Sequence, residues 1–161
     1  MKEKMSILGV GPKLFKITVL YSIALLVVMK CFHFNLRIDA VVPYSFVITL
    51  GIVFIVVGLL FLIASALALV NAYKADQLYV KGAYSVCRHP LYSAWILFII
   101  PGVLLLFNSW LLLSIPIVMF VAFKMFIKEE EIYLQDRFGE EYIKYKGSVG
   151  LLLPKFWKYK N

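Results

Sequence analysis

The sequence predicts an all-α integral membrane protein with about four transmembrane helices, the last two of which form a C-terminal helical hairpin. Of its 161 residues, 63% are hydrophobic, and the mean hydropathy is +0.89. A soluble domain of this size cannot bury so much apolar surface, so a bilayer must solvate most of it. We expect one membrane domain over residues 1–161, with two spans in 1–73 and the remaining elements in 74–161.

Four apolar runs approach the length of about 20 residues that crosses a hydrocarbon core. They are residues 14–34, 44–73, 91–107 and 110–127. The first is long and has no cleavage site after it, so we expect a retained helix rather than a signal peptide. The second is long for one crossing and too short for two, which predicts one tilted or projecting helix.

The third and fourth runs are separated only by Asn108 and Ser109. So short a connection forces two helices into an antiparallel hairpin. Pro101 and Pro116 lie within these runs, and we expect them to kink the two helices.

The positive charges predict the orientation. Placing both termini in the cytoplasm puts fifteen of the seventeen Lys and Arg residues inside and leaves Lys30 and Arg37 outside, as the positive-inside rule prefers. The net charge of +8 lies between and beyond the apolar runs, where it meets anionic headgroups, so we do not expect a nucleic-acid partner. This topology separates Cys31 from Cys87 across the membrane, which disfavours a disulfide.

The first polar segment, residues 74–92, precedes the hairpin. Pro90 suits the first position of a helix, where its missing N–H costs nothing. The N–H groups of residues 91–93 would then face the cytoplasm, and Arg88 would add a positive charge suited to a carboxylate or phosphate. Gly82 permits a close turn before them. The alternative is a basic loop that only sets the topology.

The second polar segment follows the hairpin and begins with three carboxylates, Glu129–Glu131. If the helix continues, Glu130, Leu134 and Arg137 share one stripe, and Glu131 aligns with Leu134 and Phe138. The alternative is a solvated acidic helix with internal salt bridges. The hairpin returns the chain to the side it left, so the two polar segments meet at one surface.

Together the two segments carry an ordered set of motifs over about the last half of the chain. They are Gly82 and Tyr84, Arg88-His89-Pro90 with Tyr92, Glu130-Glu131, Leu134, Phe138-Gly139, Tyr142 and Tyr145, and Pro154. This pattern resembles the isoprenylcysteine carboxyl methyltransferase family and, more distantly, the membrane phospholipid methyltransferases. Ala83 stands where that family often has proline, and the first half has two spans where relatives often have more.

The resemblance implies S-adenosylmethionine as the methyl donor and a cytoplasmic cofactor pocket, with no metal. The implied cofactor-binding residues are Gly82, Tyr84, Arg88, His89, Pro90, Tyr92, Glu130, Glu131 and Tyr142. The implied catalytic residues are Glu131 and Arg137. Chemistry suggests that the Arg137 guanidinium could hold an acceptor carboxylate by two hydrogen bonds.

The expected reaction is carboxyl O-methylation of a lipophilic or prenylcysteine-like acceptor, which could enter sideways from the membrane lipids. N-methylation of a phospholipid amine, S-methylation of a small thiol and reduction of a sterol-like double bond are the enzymatic alternatives. A membrane scaffold or transporter subunit is the alternative of another class.

Overall fold

The structure is a computed structural model that describes residues 9–33, 36–75 and 77–155. Within these ranges the regular elements are helices, together with two isolated β-bridges, so the predicted all-α membrane class is confirmed. We number the helices α1 (Gly11–Phe32), α2 (Tyr44–Ala75), α3 (Ala83–Val86), α4 (Pro90–Leu106), α5 (Ser114–Phe138) and α6 (Glu140–Ser148). Short 3₁₀ turns at Ile38–Ala40 and Leu111–Leu113 precede α2 and α5.

Three segments are long and apolar enough to cross a membrane, namely Gly11–Phe32, Tyr44–Asn71 and Leu111–Phe138. The second apolar run is therefore one helix, as predicted. The third run forms α4, whose 17 residues rise roughly 25 Å, somewhat less than a hydrocarbon core. The count of four spans stays a prediction. Phe34, Lys2, Lys4 and the tail beyond Lys155 lie outside the described residues.

Proline shapes α4 but leaves α5 regular. Residues Ala94–Ile99 form a π-helical stretch directly before Pro101. The ring of Pro101 lacks an N–H and would clash with the carbonyl four residues earlier, and a wider turn avoids both problems. Pro116 lies in the first turn of α5, where its missing N–H is not needed. The prediction that Pro116 kinks the interior of its helix is therefore wrong.

The hairpin reverses at Asn108, whose backbone adopts the left-handed conformation with φ of 53°. The backbone N–H of Asp39 donates to Asn108 Oδ1 at 3.0 Å, and Trp110 N–H donates to the carbonyl of Leu36 at 2.9 Å. The first loop is thereby fastened to the hairpin turn at one end of the molecule.

Two pairs of packed helices position the candidate functional site, which lies at the end of the molecule opposite the hairpin turn. α2 packs on α4 so closely that a Cβ on Gly51 would lie 2.9 Å from the carbonyl oxygen of Gly102. α1 packs on α5 instead. A buried apolar cluster joins the start of α1, the hairpin and the final segment, and consists of Val10, Leu14, Ile96, Met119, Ala122, Phe123, Ile127 and Leu152.

The orientation is testable with single cysteines in a Cys31→Ser background, because Cys31 is exposed and Cys87 is buried and both are free. Val41 is 78% exposed beside the hairpin turn, and Lys81 is exposed at the other end. In intact cells, we expect an impermeant thiol reagent to label Val41→Cys and to leave Lys81→Cys unlabelled until the membrane is opened. The reverse labelling would overturn the orientation.

Candidate functional site

A cavity of about 730 Å³ lies between α1, α4 and α5, with the segment before α3 and helix α6 at one end. Its polar end lies beyond the apolar part of α5, which finishes near Ile127, and is lined by Arg88, His89, Glu130, Arg137 and Tyr142. Its remaining length is lined mostly by apolar side chains, among them Leu14, Val19, Trp95, Val103, Ile115 and Met119. One continuous space therefore joins a charged mouth to an apolar channel.

Arg88 and Glu131 form the ion pair that fixes the polar end. Arg88 Nη2 lies 2.7 Å and Nε 3.0 Å from Glu131 Oε1, and the two side chains are 12% and 10% exposed. Lys146 of α6 lies 2.9 Å from the other oxygen of the same carboxylate. Arg88 Nη1 also donates to the carbonyls of Lys146 and Val149, at 2.9 and 2.7 Å. One arginine thus holds the segment before α4, the end of α5 and the end of α6 together.

Backbone carbonyls of the final described segment, residues 150–152, also accept hydrogen bonds from the residues around the start of α4. Arg88 N–H donates to the carbonyl of Gly150 at 2.8 Å, and His89 N–H donates to that of Leu151 at 3.1 Å. Ser93 Oγ then donates to the carbonyl of Leu152 at 2.7 Å. The tail thereby runs beside the start of α4 and closes the core under the site.

Because of these contacts, fewer N–H groups of the first polar segment are available to bind an anion than the sequence predicts. Pro90 does occupy the first position of α4, with His89 as the N-cap. However, Ser93 N–H donates to the carbonyl of His89 at 3.0 Å, so the expectation that it points freely at the cytoplasm is wrong. The Arg88 guanidinium donates to acceptors within the protein, so its main role is to hold the neighbouring segments together.

Glu130 faces the cavity and is contacted by three residues from two parts of the chain, the turn before α1 and the start of α4. The Tyr92 hydroxyl donates to Glu130 Oε2 at 2.9 Å, and the backbone N–H of Val10 lies 3.2 Å from the same oxygen. His89 Nδ1 lies 3.5 Å from Oε1. The predicted meeting of His89 and Glu130, 41 positions apart, is present in the structure.

The three carboxylates of Glu129–Glu131 face different directions because each residue of a helix is rotated by about 100° from the one before it. Glu129 is exposed and pairs with Lys13 of α1. Glu130 faces the cavity, and Glu131 faces Arg88 behind the cavity wall. The alternative of a merely solvated acidic helix therefore fits Glu129 but not the two carboxylates that follow it.

The charges of this cluster are coupled. Burial disfavours the charged form of His89, but the nearby carboxylates of Glu130 and Glu131 outweigh burial and raise its pKa. Burial likewise opposes ionisation of Glu131, and His89, Lys146 and Arg88 outweigh it and hold the pKa of Glu131 well below its usual range. The pKa of Glu130 is also lowered, since His89, Tyr92 and Val10 outweigh its burial. The two carboxylates thus favour the protonated form of the imidazole that lies between them.

Arg137 lines the cavity from the last turn of α5, which ends one residue later at Phe138. Its Nη1 donates to the Tyr133 hydroxyl at 2.9 Å, and its guanidinium lies 5.5 Å from the centre of the Phe138 ring. An aromatic face and a hydroxyl therefore orient this cation at the mouth.

Two buried polar atoms at the site have no hydrogen-bond partner among the described residues: Tyr142 Oη and His89 Nε2. Tyr142 is 1% exposed and lines the cavity, and burial is the largest cause that raises its pKa. His89 Nε2 lies 3.7 Å from Glu131 Oε1, too far for a good hydrogen bond. Unpaired buried polar atoms are costly, so their presence in a cavity wall points to a polar ligand.

The structure brings most of the predicted residues to one place. Tyr84, Arg88, His89, Tyr92, Glu130, Arg137 and Tyr142 line the cavity. Gly82, Pro90 and Glu131 are not among its lining residues. Pro90 and Glu131 are buried behind the cavity wall, whereas Gly82 is exposed. Sequence reasoning missed Lys146 and the turn Gly9–Val10 before α1. The break Gly9-Val10-Gly11-Pro12 was the available signal for that turn.

Comparison with known proteins agrees with these motifs. Residues 36–141 match the family model described as phospholipid methyltransferase. The protein-S-isoprenylcysteine O-methyltransferase of Saccharomyces cerevisiae is 42% identical over 85 residues, which is 50% of this chain and 34% of that protein. That of Mus musculus is 36% identical over 87 residues, 53% of this chain and 31% of that protein.

A probable protein-S-isoprenylcysteine O-methyltransferase of Oryza sativa subsp. indica is 29% identical over 123 residues, 69% of this chain and 63% of that protein. No solved structure gave a significant match. The chain thus spans about a third of the length of the first two curated relatives. The resemblance noted from the motifs is confirmed.

The stabilising role of the ion pair between Arg88 and Glu131 can be tested by removing one carboxylate at a time. Glu131→Gln leaves Arg88 and Lys146 without their counter-charge in a half-enclosed site, so we expect a loss of about 2 kcal/mol in the free energy of unfolding. Glu129→Gln, two positions earlier, removes an exposed pair and should cost less than about 1 kcal/mol. Thermal unfolding in detergent measures both. Equal effects of the two variants would contradict the bracing role of Glu131.

Proposed function

Because the chain belongs to the phospholipid methyltransferase family, we propose that it is an S-adenosylmethionine-dependent methyltransferase acting at the membrane. The proposed reaction is O-methylation of a carboxylate on a lipophilic, prenylcysteine-like acceptor. The observation that carries the proposal is the single cavity, which joins a charged mouth to an apolar channel.

The channel supports a lipophilic acceptor. From Glu130 to Ile115 the cavity follows α5 for fifteen residues, roughly 22 Å of helix. Its walls there are mostly apolar side chains of α1, α4 and α5. An acceptor with an apolar chain could lie in this channel and present its polar group at the mouth.

The mouth suits the donor. S-adenosylmethionine, when bound, supplies a methyl carbon already activated by a sulfonium sulfur. The carboxylate of Glu130 complements positive charge, and the Tyr142 hydroxyl, which has no hydrogen-bond partner within the described part of the chain, can donate to or accept from a polar group. These groups are held in place before binding, which favours positioning over later rearrangement.

The charges favour a carboxylate over an amine as the acceptor. A carboxylate oxygen forms its new bond to the methyl carbon as the carbon–sulfur bond breaks, the bonding pair stays on sulfur, and no proton moves. An ammonium acceptor must first lose a proton to a base. Glu130 is a poor base, because its pKa is lowered by His89, Tyr92 and Val10 despite burial. Arg137 supplies a guanidinium at the mouth that could aim an acceptor carboxylate.

N-methylation of a phospholipid amine is the second candidate, and the name of the matching family model favours it. Methylation of a small thiol would leave the apolar channel without a use. In either case we propose that the mouth faces the cytoplasm, where the soluble donor is available.

Donor binding is the first test. Titration calorimetry of purified protein with S-adenosylhomocysteine should give saturable binding, which a scaffold or transporter subunit need not show. Tyr142→Phe removes a hydroxyl that has no partner among the described residues, so it should weaken binding about tenfold without lowering the unfolding temperature. Glu130→Ala should weaken binding more severely. Normal binding by both variants would move the donor site elsewhere.

Acceptor geometry is the second test, after prenylcysteine analogues, phosphatidylethanolamine and small thiols have been screened. Arg137→Lys keeps the charge but loses the planar pair of donors. We expect it to bind S-adenosylhomocysteine normally and to lose most methyl transfer to a carboxylate. Near-normal turnover would reduce Arg137 to a surface residue, and an amine or thiol as the accepted substrate would rule out its carboxylate role.

A further inference from the structure

The turn that leads into α1 reaches into the candidate site from outside the part of the chain that matches the family model. That match begins at residue 36, whereas Val10 and Leu14 are 3% and 2% exposed within the core under the cavity. The backbone N–H of Val10 lies 3.1 Å from the Tyr92 hydroxyl and 3.2 Å from Glu130 Oε2. The backbone of the first span therefore donates directly to Glu130.

Gly9 makes this approach possible. Its φ is +51°, a conformation that favours glycine. A Cβ at this position would overlap Glu130 Oε2 and would lie 2.8 Å from the Tyr92 hydroxyl. Any other residue at position 9 would therefore have to displace the carboxylate, the tyrosine or the turn itself.

We propose that the turn Gly9–Val10 is a positioning element of the donor site, which holds the Glu130 carboxylate at the angle needed for binding. The inference rests on the proposed function and extends it to a segment that the family match does not include. Val10 and Tyr92 together fix Oε2, and His89 lies 3.5 Å from Oε1. The carboxylate is thus oriented from both oxygens before a ligand arrives.

The orientation also has an electrostatic cause. Val10 is the N-cap of α1, so its amide lies at the positive end of a 22-residue helix. That end stabilises the ionised form of Glu130 and adds to the effect of His89. Losing this contact would leave Oε2 of the half-buried carboxylate held by the Tyr92 hydroxyl without the main-chain donor.

Calorimetric titration with S-adenosylhomocysteine tests the element directly. Gly9→Ala should weaken binding by about tenfold, because the new methyl forces Glu130 from its place. Gly147→Ala is the control, since a Cβ on Gly147 has nothing within 4 Å and the residue lies outside the cavity. It should bind as the wild type does. Equal binding by wild type, Gly9→Ala and Gly147→Ala would overturn the inference.

Thermal unfolding without ligand separates a displaced carboxylate from backbone strain alone. Glu130→Ala removes the carboxylate that the new methyl would overlap but leaves the Tyr92 hydroxyl and the strain at position 9 unchanged. If the turn acts through Glu130, Gly9→Ala should lower the unfolding temperature less in the Glu130→Ala background than in the wild type. Additive losses would show that Gly9 does not act through Glu130 and would overturn the inference.

The two measurements also distinguish the inference from the proposal on which it rests. A wild-type protein that does not bind S-adenosylhomocysteine refutes the donor site, and the positioning role is refuted with it. A wild type that binds, combined with an unaffected Gly9→Ala variant, refutes the positioning role and leaves the proposed function standing.

Discussion

The ion pair between Arg88 and Glu131 is the constraint on which the rest of the polar end depends. Neither residue contributes much exposed surface, and the charges are stabilised by each other, by Lys146 and by two backbone carbonyls. Because an uncompensated charge in a half-enclosed site is costly, the segments that carry these groups must stay together. The pair thereby fixes the start of α4 against the ends of α5 and α6, and the cavity wall follows from that arrangement.

The carboxylate one position earlier can then serve a different purpose. A helix turns by about 100° per residue, so Glu130 points into the cavity when Glu131 points at Arg88. His89 lies between the two carboxylates, and their charges overcome its burial and raise its pKa. The site therefore presents a fixed, ionised carboxylate beside a hydroxyl that has no partner among the described residues. Such an arrangement suits positioning of charged groups more than proton transfer.

Much of this was predictable, for identifiable reasons. Long apolar runs and the two-residue connection Asn108–Ser109 dictate helices and a hairpin, and the hairpin brings His89 near Glu130. The different surroundings of Glu129, Glu130 and Glu131 were not predictable, because they depend on which face of α5 meets Arg88. Pro116 was misplaced because the helix begins later than its apolar run. Gly9–Val10 was missed because a turn 120 residues from Glu130 carries no local sign of its distant contact.

The proposed donor site consists of the segment from Tyr84 to Tyr92, the end of α5 and helix α6. Hydrogen–deuterium exchange of the purified protein, with and without S-adenosylhomocysteine, tests it without knowledge of the acceptor. Because bound ligand suppresses local opening, exchange should slow together in peptides covering residues 84–92 and 130–145, and stay unchanged in the hairpin turn around Asn108. Slowing in neither segment, or in one alone, would contradict a single site built from both.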